Sequence, residues 1–213
     1  MHRQPLFDVQ DRSRLHGLIR EYPLGTLIIQ TDRGPSVDHL PFVLETATSP
    51  LGMLKTHAAR DNEFWSIVPD GLECLVVFSG PSAYISPSWY PSRTKHGRVQ
   101  PSWYYSVVHA RGRIRLVRDA ATLAADVRSM TDYFEAGREN AWRVDEAPQD
   151  FIGALVEHIV GIDIEITQLI GKWQVGQQRN PADRQGIVEA LRKMDMSAER
   201  KLADTMLSSA RSR

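Results

Sequence analysis

Apolar positions along the chain change their period several times, and each change predicts an element. Leu15, Leu18 and Ile19 recur at helical spacing after Gln10, and Pro23 stops that helix. Short strand-like runs follow at 25–30, 38–45, 51–58 and 73–80, with Asp32, Gly34 and Pro35 reading as a turn between the first two. The 73–80 run, ECLVVFSG, is apolar on both parities, as expected of a strand buried on both faces. A long strand is predicted over 102–117. Its even positions Val108, Ala110, Ile114 and Leu116 are apolar, and its odd positions His109, Arg111, Arg113 and Arg115 are basic, so the two sets take opposite faces. Gly112 reads as a bulge or bend in it.

Helical spacing then returns. Asp119 caps a helix in which Leu123, Val127, Met130 and Phe134 recur. Pro148 opens another, with Phe151, Leu155 and Ile159 on its stripe and Gly161 at its end. Ile162, Ile164 and Ile166 alternate with Asp163, Glu165 and Thr167 in a last strand. Asn180, Pro181 and Asp183 have the order of a helix start, and a polar helical stretch follows with a second start at Ser197. About six strands, with helices not regularly interspersed, disfavour a doubly wound parallel sheet. They predict a mainly β, α+β fold: a closed or partly closed antiparallel barrel with helices outside.

Composition narrows the classes. The chain of 213 residues is 42% apolar, which suits one domain of generous size or one domain with a helical appendage. Apolar runs fall far short of the ~20 residues that span a bilayer, and the N-terminus MHRQPLFDVQDRSR has no apolar signal region. Lys and Arg (26) balance Asp and Glu (26), which argues against a dominant attraction to nucleic acid. Cys74 is the only cysteine, so an internal disulfide and a multi-cysteine metal site are excluded; it reads as a buried apolar filler in a cytoplasmic protein. No hydrolase, zincin, P-loop or dinucleotide fingerprint is present, and the seven histidines do not pair at metal spacing.

Three stretches carry candidate chemistry. In HAARDNEFW (57–65), Asp61 or Asn62 is placed to cap a helix start, and backbone N–H groups there beside Arg60 form a phosphate cradle; the alternative is a solvated arginine with a capping Asn. In GKWQVGQQR (171–179), Lys172, Gln177 and Arg179 offer two cations and an amide, suited to an anionic tail and a heterocycle edge, or else form an exposed polar edge. The proline-punctuated loop between Gly80 and Gly112 holds Ser88-Trp89-Tyr90 and Ser102-Trp103-Tyr104. Its aromatics suit stacking on a planar ring, a subunit interface, or a loop folded back over the core. The arginines at 111, 113 and 115 read as a solvated or salt-bridged face, with a nucleic-acid surface as the sharper reading.

The motifs YPLGTLI, HLPFVLE, HAARDNEFW, GPSAYISPSWYPS, VQPSWYYSVVHARG, AWRVDEAPQDFI, IVGIDIEIT and GKWQVGQQRNPADRQGI run in the order typical of the PaiB-like family, the FMN-binding negative transcriptional regulators. The resemblance covers about residues 1 to 192. It implies a split β-barrel of the FMN-binding type, similar to pyridoxamine-phosphate oxidases, as a single domain over 1–192 with a C-terminal helical tail over 193–213. It implies a homodimer with FMN held at the subunit interface. Positions carried over are His57, Arg60 and Asn62, then Ser86 and Trp89, then Lys172, Gln177 and Arg179. Of these, Arg60 with Lys172 or Arg179 is assigned to the phosphate, and Gln177 to a polar edge of the cofactor. The family's second aromatic cluster commonly reads Thr-Trp-Asn-Tyr where this chain has Ser102-Trp103-Tyr104-Tyr105, which removes an amide at 104. The implied function is negative regulation of transcription, with DNA as a possible partner although no helix-turn-helix pattern is present. The alternative is an FMN-dependent oxidoreductase acting on a small molecule, and a haem-binding barrel using His57 or His109 is a remoter idea.

Overall fold

In the computed structural model, which describes residues 1–47, 49–62, 65, 68–194 and 196–211, eight strands join one sheet. They are β1 (Asp8–Val9), β2 (Leu24–Thr31), β3 (Gly34–Pro41), β4 (Val43–Glu45), β5 (Met53–Ala59), β6 (Glu73–Ile85), β7 (Ser102–Val117) and β8 (Ile159–Gln174). Hydrogen-bonded neighbours run β3-β2-β6-β7-β8-β5-β4, with β1 also on β8. The registered pairs are antiparallel. The helices among the described residues are α1 (Arg12–Glu21), α2 (Ser92–His96), α3 (Ala120–Glu135), α4 (Gln149–Glu157), α5 (Pro181–Lys193) and α6 (Ser197–Arg211). None is long and apolar enough to cross a membrane.

Local sequence accounts for most of these boundaries. Asp119 caps α3 by accepting from the Thr122 N–H at 2.8 Å. Asn180 accepts from the Asp183 N–H at 2.9 Å, with Pro181 in the first turn where its missing N–H is not needed. The predicted 38–45 strand is two strands. Pro41 has no N–H to continue a ladder, so β3 ends there; Phe42 turns inward and donates its N–H to the Pro23 carbonyl at 2.9 Å. Helix α4 ends at Glu157, not at Gly161. Gly161 lies inside β8, where a Cβ would stand 2.8 Å from Leu123 and 3.0 Å from Val117. The stripe predicted for α4 is also rotated by one residue. Phe151 and Leu155 are exposed, whereas Val156 joins Val117 and Leu123 in a buried cluster with Ile152 against it.

Gly112 is neither bulge nor bend: positions 108, 110, 112 and 114 stay buried on one parity. Its missing side chain lets β8 approach, since a Cβ there would meet Ile164 at 2.4 Å and the Glu165 carbonyl oxygen at 2.6 Å. The parity shift occurs in β6 instead, from Cys74, Val76 and Phe78 inward to Pro81, Ala83 and Ile85 inward. That strand runs past the predicted end at Gly80, and on its outer side Leu75 and Val77 are half-buried rather than buried. Cys74 is buried, and burial pushes its thiol up to about 12.

The chain divides into two compact units. The first comprises Met1–Tyr22, Phe78–Val108 and Ile170–Arg213; the second comprises Pro23–Val77 and His109–Leu169. In the first, Leu202, Ala203 and Met206 of α6 and Ile187, Val188 and Leu191 of α5 are buried, and Arg184 Nη2 donates to the Met206 carbonyl at 2.7 Å. In the second, β5 pairs with the start of β8 in a register that sets His57 opposite Gly161 and Lys55 opposite Asp163.

Candidate functional site

His57, Arg60 and Asn62 stand together in the second unit, on the end of β5 and the turn after it. Burial lowers the imidazole pKa of His57, so the ring is neutral near neutral pH. The Arg60 N–H donates to the His158 carbonyl at 2.8 Å and its Nε to the Ile159 carbonyl at 3.2 Å. The guanidinium is thereby aimed by the first residues of β8, and its two terminal nitrogens make no hydrogen bond among the described residues. The Asn62 N–H closes the turn on the Ala59 carbonyl at 3.4 Å. The helix start expected just beyond it falls on residues 63, 64, 66 and 67, outside the described residues.

Lys55 and Arg115 of this unit are compensated. Asp163, only 2% exposed, takes Arg115 at 2.5 Å and Lys55 at 3.7 Å, and Lys55 also reaches Asp126 at 2.8 Å. Arg115 thus belongs to an ion network, while Arg111 and Arg113 point to solvent.

Ser86, Trp89, Lys172, Gln177 and Arg179 belong to the first unit. Ser86 starts the 3-10 turn Pro87–Trp89, accepting from the Ser88 N–H at 3.2 Å and sharing a 2.7 Å bond with its hydroxyl. The loop is pinned to α5. Ser92 donates its N–H (3.0 Å) and its hydroxyl (2.7 Å) to Asp183, and Gly186 leaves room for the Trp89 carbonyl, which a Cβ there would meet at 2.3 Å. This pinning forms α2, which the sequence reading did not include. Trp89 itself stays half-buried, while Tyr90 packs inward.

The GKWQVGQQR segment divides its polar groups between scaffold and open chemistry. Gln177 is taken up by its own turn: its Oε1 accepts from the Val175 N–H at 2.9 Å and its Nε2 donates to the Trp173 carbonyl at 2.5 Å. Arg179 lies 4.8 Å over the Tyr90 ring. Its Nε and the Tyr90 and Tyr104 hydroxyls are buried close together, with Tyr104 interacting with both Arg179 and Tyr90. Burial, with the neighbouring Tyr90, pushes the Tyr104 phenol up to about 12. Position 104 therefore faces the interior over Gly176, not an open surface. Lys172 is different. It is 8% exposed, its Nζ stands 5.3 Å over the Tyr105 ring, and no carboxylate lies within ion-pair distance among the described residues. A lysine so withdrawn from water, with Asp8 opposite it across the strand pair but outside ion-pair distance, is suited to accept an anion.

Tyr105, whose ring lies under the Lys172 ammonium, was not among the candidate site residues; Trp103 was named only as one of the loop's aromatics. Tyr105 and Trp103 lie on the odd-numbered face of β7, and extending the His109–Arg115 alternation backwards would have found them. Trp103 is 55% exposed, with its ring 6.4 Å from that of exposed Tyr84 at an interplanar angle of 60°. The first unit offers a flat aromatic surface and a nearly buried cation, and the second an open guanidinium at Arg60; these are residue types suited to a phosphorylated planar cofactor.

Comparisons with known proteins agree with that chemistry. Residues 1–168 match the family described as "Putative FMN-binding domain". "Protease synthase and sporulation protein PAI 2" of Bacillus subtilis is 25% identical over 200 residues, covering 94% of this chain and 93% of its own. A protein of Emericella nidulans is 29% identical over 227 residues, 90% of each chain. Among solved structures, the flavocytochrome Anf3 of Azotobacter vinelandii superposes with a TM-score of 0.59 at 15% identity, covering 81% of this chain and 72% of that one. The FAD and haem binding protein of Mycobacterium smegmatis gives 0.57, also at 15% identity, over 78% and 73%. The fold is an α+β split barrel, the cofactor is FMN, and the chain belongs to the PaiB-like family of FMN-binding domains.

Proposed function

We propose that this protein is an FMN-binding regulator that acts as a homodimer in the cytoplasm, repressing transcription in response to its flavin. The observation that carries the flavin assignment is Lys172, a nearly buried cation with no carboxylate partner among the described residues. Lys172 in the first unit and the open fork of Arg60 in the second each offer positive charge of the kind that suits a phosphate monoester. The first unit also offers the Ser86 hydroxyl and the flat faces of Trp89 and Trp103; the second offers the Asn62 amide and, in His57, a neutral imidazole able to donate and accept at once. Gln177 and Arg179 act one step back, by shaping the turn that carries Lys172. When bound, FMN supplies hydride and single-electron chemistry that no side chain offers.

Support for regulation comes from the likeness to a Bacillus subtilis protein named for protease synthesis and sporulation. The exposed Trp103 and Tyr84 give a second copy an apolar face to cover. The lone, buried thiol of Cys74 suits a reducing compartment. Direct DNA contact would use Arg111 and Arg113, since Arg115 is already neutralised by Asp163.

Purification without added cofactor, a visible spectrum and identification of the released ligand test the flavin. The expected result is a flavin spectrum with FMN released on denaturation. A colourless protein that stays colourless after soaking in FMN refutes the reading. Salt-sensitive binding to its own promoter DNA supports the regulator; bleaching by NADH or NADPH without DNA binding replaces it with an oxidoreductase.

A further inference from the structure

Helices α3 and α4 of the second unit do not pack tightly along their whole length. Between them lies a cleft of about 490 Å³, within the ~300–1,000 Å³ range of small-molecule sites. One wall is Ala120, Ala124 and Arg128, each four residues apart on α3; the other is the Ile152, Gly153 and Val156 side of α4. The floor is apolar: Val144 and Val156 are buried, and Ile152 packs on the Val117–Leu123 cluster. Gly153 is informative. Glycine is unfavourable inside a helix, yet nothing lies within 4 Å of where its Cβ would be. No neighbouring backbone demands a glycine there, and the missing side chain keeps the cleft open.

Charge around the cleft is one-sided. Arg128 and Asp145 neutralise each other at 2.6 Å. Glu157, which also lines the cleft, has no cationic partner among the described residues and sits at the C-terminal end of α4, where the helix dipole is already negative and the last turn holds no basic residue. We propose that this cleft is a second ligand site for a small monocation with an apolar body: the body on Val144, Ile152 and Val156, the ammonium at Glu157.

The proposal is tested on the full chain with phenethylamine, 2-phenylethanol and 3-phenylpropionate as cationic, neutral and anionic probes, by thermal shift and by amide chemical-shift mapping. Phenethylamine is expected to raise Tm, to perturb amides of α3 and α4, and to bind at least fivefold more tightly than either analogue. Gly153→Leu fills the open space and is expected to lose amine binding while its Tm does not fall and its FMN titration is unchanged. Gly153→Ala, adding one methyl, keeps binding. Glu157→Gln is expected to erase the preference for the amine over the alcohol. The proposal is overturned by no amine binding to the wild-type chain, by equal binding of the anionic probe, or by an unchanged amine affinity in Gly153→Leu. Because FMN is titrated separately, failure here is distinguishable from failure of the flavin reading.

Discussion

Replacing Lys172 with Met tests the charge argument, because function and stability should move in opposite directions. Met keeps the length of the stem and removes the ammonium. In the cofactor-free protein that ammonium has one favourable contact, the Tyr105 ring at 5.3 Å, worth about 0.5–2 kcal/mol. Against it stands partial withdrawal from water, a penalty of up to several kcal/mol for an unpaired ion. The apo variant is therefore expected to unfold at the same urea concentration as wild type or a higher one. FMN affinity should fall. A hydrogen bond to a charged group contributes about 1.5–3 kcal/mol, which is about ten- to one-hundredfold in Kd. At a flavin concentration one hundred times the wild-type Kd, ligand stabilisation of about 2.7 kcal/mol should drop to about 1.4 or 0.4 kcal/mol. Quenching of flavin fluorescence reads the affinity, and riboflavin, which lacks the phosphate, is the control and should lose little. Unchanged FMN affinity refutes the assignment of Lys172 to the cofactor. An equal loss for riboflavin refutes the phosphate contact in particular. A clear fall in apo stability refutes the claim that the cation is uncompensated.

Further predictions concern the scaffold. Gly176 has φ +80°, and a Cβ there would lie 2.7 Å from the Tyr104 ring edge and hydroxyl oxygen. Gly176→Ala should lose about 2–4 kcal/mol, from the left-handed backbone and the displaced ring; a urea midpoint within error of wild type contradicts this. Burial tends to raise the Asp183 pKa, but bonds from Ser92 and Asn180, with the charge of Arg179, hold it below the usual carboxylate range. A depressed pKa gives stability that is present above the unfolded value of about 3.9 and lost as pH falls through the folded value. Asp183→Asn should thus be weaker than wild type by about 1.5–3 kcal/mol near neutral pH, with the gap closing below about pH 4. A gap that stays constant into acid would show that the carboxylate charge is irrelevant.

Helix starts and strand periods were legible in the chain because both are local. Asp119 and Asn180 cap with their own side chains within three residues, and the strand from Ser102 to Val117 lies where alternation predicts it. The candidate site was legible as residue types, through the order of its motifs. Their division of labour was not. Gln177 satisfies its own turn, whereas Lys172, five residues earlier, is left without a carboxylate.

That difference depends on partners distant in sequence. Asp163 neutralises Arg115 from 48 residues away, and Asp126 meets Lys55 across 71. Which helical stripe of α4 turns inward depends on where Val117 and Leu123 already stand, and α2 exists because Asp183, 91 residues on, holds Ser92. Capping and alternation are written in neighbouring residues, so the chain alone determined them. Charge compensation and the choice of buried face depend on which strands and helices meet, and only the tertiary structure decided those.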